Sequence, residues 1–170
     1  TSVEPRADET VLDVLRDRCH VTSVKDGCAP EGMCGACTVI IDGKAAVACA
    51  QPATRLAGKT VIDTCNYGPE RDGHIPELDD KSLTSSELLL RYIRDAMLVK
   101  AFKNIYYKHL LSLARPAEAA DRSYLPIAGT SAPAKAAVTE FIESIGYNVV
   151  DAGPLADSWR QATGTPVWGT

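Results

Sequence analysis

The sequence predicts a chain of two unlike halves: an α+β segment over residues 1–57, then an α/β segment with a mostly parallel sheet over 58–170. Three observations carry that division. Three cysteines crowd one glycine-rich stretch, Cys28-Ala29-Pro30-Glu31-Gly32-Met33-Cys34-Gly35-Ala36-Cys37, and two short β-type runs follow it. Beyond residue 58, short apolar runs alternate with longer amphipathic ones, as in a mainly parallel sheet. Between the halves, Leu56-Ala57-Gly58-Lys59 marks a change of character.

In the first half a strand is expected over residues 2–4 and a helix over 11–18. Thr10 and Asp13 have the spacing of a capping box, with Asp standing in for Glu. Val11, Leu12, Val14 and Leu15 give that helix an apolar face. Asp42-Gly43 is a favoured two-residue hairpin turn, because both turn positions need φ > 0. With Ile41 opposite Lys44, the register runs Ile40 to Ala45, Val39 to Ala46, Thr38 to Val47 and Cys37 to Ala48. Cys49 then arrives one residue from the partner of Cys37. The turn closes a four-thiol site.

In the second half, residues 60–63 read as a strand and 66–83 as a long polar loop. Thr84-Ser85-Ser86-Glu87 is a capping box opening a helix to about residue 96. A strand over 98–102, a helix over 105–114 and a strand over 124–128 follow, with Pro126 marking an edge or an irregularity. Ser131 caps a helix with Val138, Phe141, Ile142 and Ile145 on one face, and Gly146 stops it. Residues 147–150 complete the sheet. This half, with four strands and three helices, is the more autonomous of the two.

Composition sets the outer bounds. The chain has 170 residues, 45% of them hydrophobic, which suffices for one moderate domain or two small ones. A net charge of −4 argues against nucleic acid as a partner. No apolar run reaches transmembrane length and no signal-peptide pattern opens the chain, so no membrane role and a cytoplasmic location are expected. Unpaired thiols fit a reducing compartment. Thr rather than Met at position 1 points to a processed chain or a fragment.

Four thiols around a glycine-rich loop suit an iron–sulfur cluster, in the layout of plant-type ferredoxins. Gly27, Gly32 and Gly35 let the backbone approach the sulfurs and turn N–H groups toward them. Zinc would also accept four cysteines, although only Cys34/Cys37 has knuckle spacing. A thioredoxin-like pair at Cys34 and Cys37 would need a strand before it and a helix after it, and here a hairpin follows. Disulfides are the remaining option. Cys19 and Cys65 read as small buried hydrophobes. His20, His74 and His109 lack metal spacing, and residues 70–72 and 77–80 read as a solvated loop. Trp159 and Trp168 read as packing residues.

The stretch from Val11 to Asp17, Lys25-Asp26-Gly27-Cys28 through Cys37-Thr38-Val39-Ile40-Ile41-Asp42-Gly43-Lys44, and Cys49 resemble the 2Fe–2S domain of molybdenum hydroxylases. That domain is the small iron–sulfur subunit, or N-terminal domain, of xanthine-dehydrogenase-type enzymes. The resemblance implies a partial ferredoxin-like β-grasp, a 2Fe–2S cluster held by Cys28, Cys34, Cys37 and Cys49, and a flavin- or molybdenum-bearing redox partner. Family members begin with one more strand.

Residues 58–170 resemble a second family. Ile62-Asp63-Thr64, Asn66-Tyr67, Ser85-Ser86-Glu87-Leu88, Val99-Lys100-Ala101-Phe102, Leu125-Pro126-Ile127-Ala128-Gly129 and Asp151-Ala152-Gly153-Pro154-Leu155 look like deazaflavin-dependent NADP reductases. A partial Rossmann-like fold is implied. Gly68 stands where a second Tyr is usual, and Lys103 where Asn is usual. The glycine-rich dinucleotide loop of such reductases is not found between a strand and a helix in this chain, so the nucleotide site is expected not to survive. The expected function is electron transfer as an oxidoreductase component. An NADP-linked reductase fragment with incidental cysteines, and an inactive chimera of two partial domains, are the alternatives.

Overall fold

The computed structural model describes residues 6–22, 24–42, 44–93 and 95–168. Its centre is a six-stranded sheet built from β1 (Thr38–Ile41), β2 (Lys44–Val47), β3 (Thr60–Asp63), β4 (Met97–Lys100), β5 (Tyr124–Gly129) and β6 (Asn148–Asp151). The order across the sheet is β2-β1-β3-β4-β5-β6. Within the second half two of the three pairings are parallel, β3 with β4 and β5 with β6, while β4 and β5 run antiparallel. The first half brings two antiparallel pairings, so the sheet as a whole is mixed.

The hairpin has the register expected from its turn: Thr38 faces Val47, Val39 faces Ala46, Ile40 faces Ala45 and Ile41 faces Lys44. Asp42 takes φ of 49°, as the turn requires; Gly43 lies outside the described residues. No separate β-grasp is seen among the described residues, and the strand expected over 2–4 lies outside them. Instead β1 extends the sheet of the second half. Ile41 pairs with Val61, Asp42 N–H donates to the Thr60 carbonyl at 2.9 Å, and Thr60 N–H donates to Asp42 Oδ1 at 2.8 Å.

The helices follow local signals where these are strong. Thr10 and Asp13 form a full capping box at the start of α1 (Val11–Asp13), which continues as a π-helical stretch, Val14–Arg18. Two single-turn helices, α2 (Pro69–Asp72) and α3 (Pro76–Asp79), replace the long loop expected over 66–83. Each begins with Pro, whose fixed φ suits a first helical turn. Thr84 and Glu87 form the expected capping box on α4 (Ser85–Leu90). That helix stops short of residue 96, because the bonds tighten to three-residue turns: Arg91 N–H is shared between the Glu87 and Leu88 carbonyls, and Tyr92 N–H donates to the Leu89 carbonyl at 3.0 Å.

The helix expected over 105–114 shrinks to one turn, α5 (His109–Ser112). Ile105, Tyr106 and Tyr107 are weak helix formers. In addition, the Tyr147 hydroxyl donates to the Leu110 carbonyl at 2.8 Å, the acceptor a longer helix would use for Ala114. The last helix, α6 (Ala132–Ser144), is capped by Ser131 and buries Ala134, Val138 and Ile142. Gly146 ends it with φ of 97°, and a Cβ there would meet Arg115 N at 2.9 Å. Ile145 lies outside the buried face, one-third exposed. Pro126 sits where β5 pairs with β6 alone, because β4 reaches only Ala128 and Gly129.

Two apolar clusters result. One groups Ile62, Val99, Leu125, Ile127, Val138, Ile142 and Tyr147. The other joins the halves: Val11, Leu12, Leu15, Cys37, Cys49 and Leu56 pack with Leu89, Ile93, Leu98 and Leu155. Among the described residues no helix is long and apolar enough to cross a membrane.

Candidate metal centre

Among the described residues the cysteine stretch carries no helix or strand between residues 20 and 37, and it ends where β1 begins. Its shape is set by glycine and by turns. Gly32 and Gly35 both take φ of 69°, which L side chains rarely adopt. Thr38 N–H and Oγ1 both donate to the Gly35 carbonyl, at 3.1 and 2.7 Å, fixing the exit into the hairpin. Gly27 acts by size: a Cβ there would lie 2.8 Å from Cys34 Sγ.

The spacing of the thiols departs from the plant-type layout. Five residues separate Cys28 from Cys34, one more than in the Cys-x4-Cys-x2-Cys pattern. A turn takes up the length, with Glu31 N–H donating to the Cys28 carbonyl at 2.8 Å and Ala29 N–H to Asp26 Oδ1 at 3.1 Å. Counting residues between cysteines would have revealed the insertion.

Hydrogen bonds link the thiols in twos, Cys28 with Cys34 and Cys37 with Cys49, and Cys28 is near enough to Cys49 to act on its charge. Cys34 N–H donates to Cys28 Sγ at 3.2 Å, and Cys49 N–H donates to Cys37 Sγ at 3.5 Å. The second pair follows from the hairpin, whose last rung is Ala48 N–H to the Cys37 carbonyl at 3.1 Å. Cys37 and Cys49 are each 2% exposed in the joint apolar cluster, whereas Cys28 is half-buried and Cys34 exposed. Met33 between them is 83% exposed. Among the described residues no three His, Cys, Asp or Glu side chains are gathered round one point as ligands of a single ion.

The surroundings divide the thiols electrostatically as well. Hydrogen bonds from the Cys34 thiol and N–H, helped by Met33 N–H, hold the Cys28 thiol below its ordinary value. Burial, and after it the Cys37 thiol, push Cys49 up, against a Gly32 N–H that favours its thiolate. The outer sulfur of Cys28 and the inner one of Cys49 are thus shifted in opposite directions.

The other two cysteines differ. Cys19 is buried in the joint cluster, and burial pushes its thiol up. Cys65 is only half-buried; its N–H donates to Asp63 Oδ1 at 2.8 Å and its carbonyl accepts from Lys100. His74 Nδ1 lies 3.0 Å from Asp79 Oδ2; His20 lines a cavity with His74, and His109 opens α5. Trp159 and Trp168 are about half exposed rather than packed, with Arg160 stacked 4.8 Å over the Trp159 ring.

Sequence reasoning missed a buried polar group at the carboxyl ends of β3 and β4. Lys100, 1% exposed, donates to Asp63 Oδ2 at 2.9 Å, and Ser86 Oγ donates to the same oxygen at 2.6 Å. Burial alone would raise the Asp63 carboxyl, but the Lys100 ammonium and these hydrogen bonds outweigh it and hold the group down. The signal was a lone lysine in the apolar run Leu98-Val99-Lys100-Ala101, which demands a buried partner. The segment read as a solvated loop also hides one: Asp72 accepts from Thr22 Oγ1 at 2.5 Å, from Gly68 N–H at 2.9 Å and from Arg71.

No family model matches the chain. It is 33% identical over 100 residues to the nicotinate dehydrogenase small FeS subunit of Eubacterium barkeri, covering 59% of this chain and 62% of that one. Over 58 residues it is 45% identical to the aldehyde oxidoreductase of Megalodesulfovibrio gigas, 34% of this chain and 6% of that protein. Over 65 residues it is 40% identical to the iron–sulfur-binding subunit of aldehyde oxidoreductase from Escherichia coli K12, 38% of this chain and 28% of the relative. The chain therefore spans less than two thirds of each of these relatives. Among solved structures it is similar to a putative F420-dependent NADP-reductase from Arthrobacter sp. FB24, with a TM-score of 0.51 and 26% identity over 62% of this chain and 48% of that one. A hypothetical protein from Sinorhizobium meliloti gives a TM-score of 0.50 and 27% identity, over 65% and 52% of the two chains. The two resemblances read in the sequence thus each have a counterpart among known proteins.

Proposed function

We propose that this chain is an electron-transfer iron–sulfur protein, an oxidoreductase component whose Cys28, Cys34, Cys37 and Cys49 thiolates hold one 2Fe–2S cluster. The observation that carries the reading is the hydrogen bonding of the thiols in twos, each pair with a backbone N–H on one of its sulfurs. A 2Fe–2S cluster takes two thiolates on each of two irons. A structural zinc needs all four round one ion. The donor set fits the cluster: four soft thiolates, N–H groups of Cys34 and Met33 at Cys28, of Gly32 at Cys49 and of Cys49 at Cys37, and a cleft that any side chain at Gly27 would invade. Likeness to FeS subunits supports it from a second direction.

When bound, such a cluster supplies one-electron transfer, with a potential set by hydrogen bonds to sulfur and by exposure. The residues of this chain do the rest. Cys37 and Cys49 anchor the group in the apolar cluster and keep water from that side. Cys28 and Cys34, with Met33 beside them, leave the other side open to a redox partner. Relatives named as subunits of dehydrogenases support a partner subunit, and the resemblance to molybdenum hydroxylases makes a flavin- or molybdenum-bearing one the expected kind. Residues 1–57 act as the iron–sulfur segment and 58–170 as a truncated reductase-like segment that supports it, in the reducing cytoplasm.

Anaerobic reconstitution with iron and sulfide tests this. The protein should turn brown, bind two irons per chain, and lose its visible charge-transfer absorption on adding dithionite. A colourless protein that retains one zinc per chain would overturn the reading.

A further inference from the structure

At the carboxyl ends of the parallel pair β3 and β4, where open α/β sheets bind their ligands, two amines stand on adjacent carbonyls. Lys103 Nζ donates to the Thr64 carbonyl at 2.6 Å, and Lys100 Nζ donates to the next carbonyl in the chain, that of Cys65. The Asp63 carboxylate at the end of β3 is bound by Lys100 and Ser86. Lys100 has no donor to spare, since Ser85 Oγ, at 3.4 Å, takes its third. Among the described residues Lys103 has no carboxylate within ion-pair distance. It is half-buried on the chain just after β4, open to solvent in a way that Lys100 is not.

We propose that Lys103 is a nucleophilic amine that captures small carbonyl compounds, aldehydes above all, as an imine. The Nζ lone pair adds to the carbonyl carbon, the C=O π pair moves onto oxygen, and the neighbouring Lys100 ammonium favours that developing negative charge. Proton transfer from nitrogen to oxygen and loss of one water then leave a C=N bond between substrate carbon and Nζ. No oxidant or reductant enters the step. An amine beside a second cation, with only a neutral carbonyl as partner, is a known way to activate lysine.

Burial first, then the Lys100 charge, bring the Lys103 ammonium down to about 8; Asp63 and Cys65 act in the opposite sense and Arg71 in the same one. At pH 7.5 roughly a quarter of Lys103 is then unprotonated, against about 0.1% for an ordinary lysine. The test uses the full chain, acetaldehyde and cyanoborohydride, which delivers hydride to the imine carbon and fixes it as a secondary amine. Peptide mapping by mass spectrometry should find Lys103 modified more than tenfold faster than the exposed Lys44 and Lys108 at pH 7.5. Its rate should rise with pH to a midpoint near 8, and Lys103→Arg should remove that peptide's label while leaving the others. Equal rates at the three lysines, or a midpoint above about 10, would overturn the proposal.

Discussion

Residues 20–37 and residues 124–151 lie in one small protein and are held by different forces. The second stretch is β5, α6 and β6, a continuous unit with Leu125, Ile127, Val138, Ile142 and Tyr147 buried in one apolar cluster. The first has no helix or strand among its described residues, and its backbone is tied by short turns and by N–H groups pointing at sulfur. Apolar burial organises one; the other has thiols where a core would be. On the proposed reading, a segment so poor in buried area would take its fixed shape from ligation, because binding free energy becomes folding free energy where no site is preformed.

The largest way to break this comparison is Cys37→Ser, which should abolish or severely weaken iron binding after reconstitution, while Cys19→Ala and Cys65→Ala retain it. Hydrogen exchange should show residues 27–49 losing protection without the cluster and β5 and β6 keeping theirs. Equal protection of the hairpin in both forms would show that ligation does not organise it. The mirror experiment is Ile142→Ala. Emptying a site of 0% exposure should cost about 2–5 kcal/mol in denaturant unfolding, with iron per folded chain unchanged.

A finer contrast uses two glycines. Gly27→Ala forces a methyl to within 2.8 Å of Cys34 Sγ and should lower iron retention severalfold in a chelator challenge. Gly58→Ala meets nothing within 4 Å but must hold φ of +69°, so about 1 kcal/mol of stability should go with no effect on iron. If both variants lose stability and neither loses iron, Gly27 is not there to admit the thiol.

The smallest effect is a pH dependence. Burial would raise the Asp72 carboxyl, but Arg71, Thr22 and Gly68 outweigh it and bring it down to about 2. Its value in the unfolded chain is about 3.9. A group depressed on folding stabilises the protein fully above about pH 4 and loses that contribution as pH falls toward 2. Asp63 is depressed too and shifts stability in the same direction. Asp72→Asn should therefore flatten the acid limb of stability against pH, followed by circular dichroism, and leave the neutral limb parallel to that of the parent. An unchanged acid limb would remove Asp72 from the account.

Legibility in the sequence followed the range of the interactions. The hairpin register, Asp42 in the turn, and the caps at Thr10, Thr84 and Ser131 depend on residues within a few positions of one another, and all were readable. The meeting of Cys49 with Cys37 was readable for the same reason. What escaped was decided from a distance. The shortening of the helix after Ile105 depends on Tyr147, the antiparallel run of β5 against β4 on the whole connection, and the joining of β1 to β3 on one residue pair and the Asp42 side chain. Lys100 and Asp63 were visible as residues, but only the parallel register sets them opposite each other.

The apolar cluster that Val11, Leu12, Leu15 and Leu56 share with Leu89, Ile93 and Leu98 bears on how the chain can be taken apart. Cutting it between residues 57 and 58 would follow the seam in its sequence and split a volume that has none. Each piece would carry half of an oily interior into water and aggregate or seek the other. A laboratory graft that exchanges the cysteine half for another must therefore reproduce the footprint of Val11, Leu12, Leu15 and Leu56 on Leu89, Ile93 and Leu98. Matching the amino acids at the splice would not be enough.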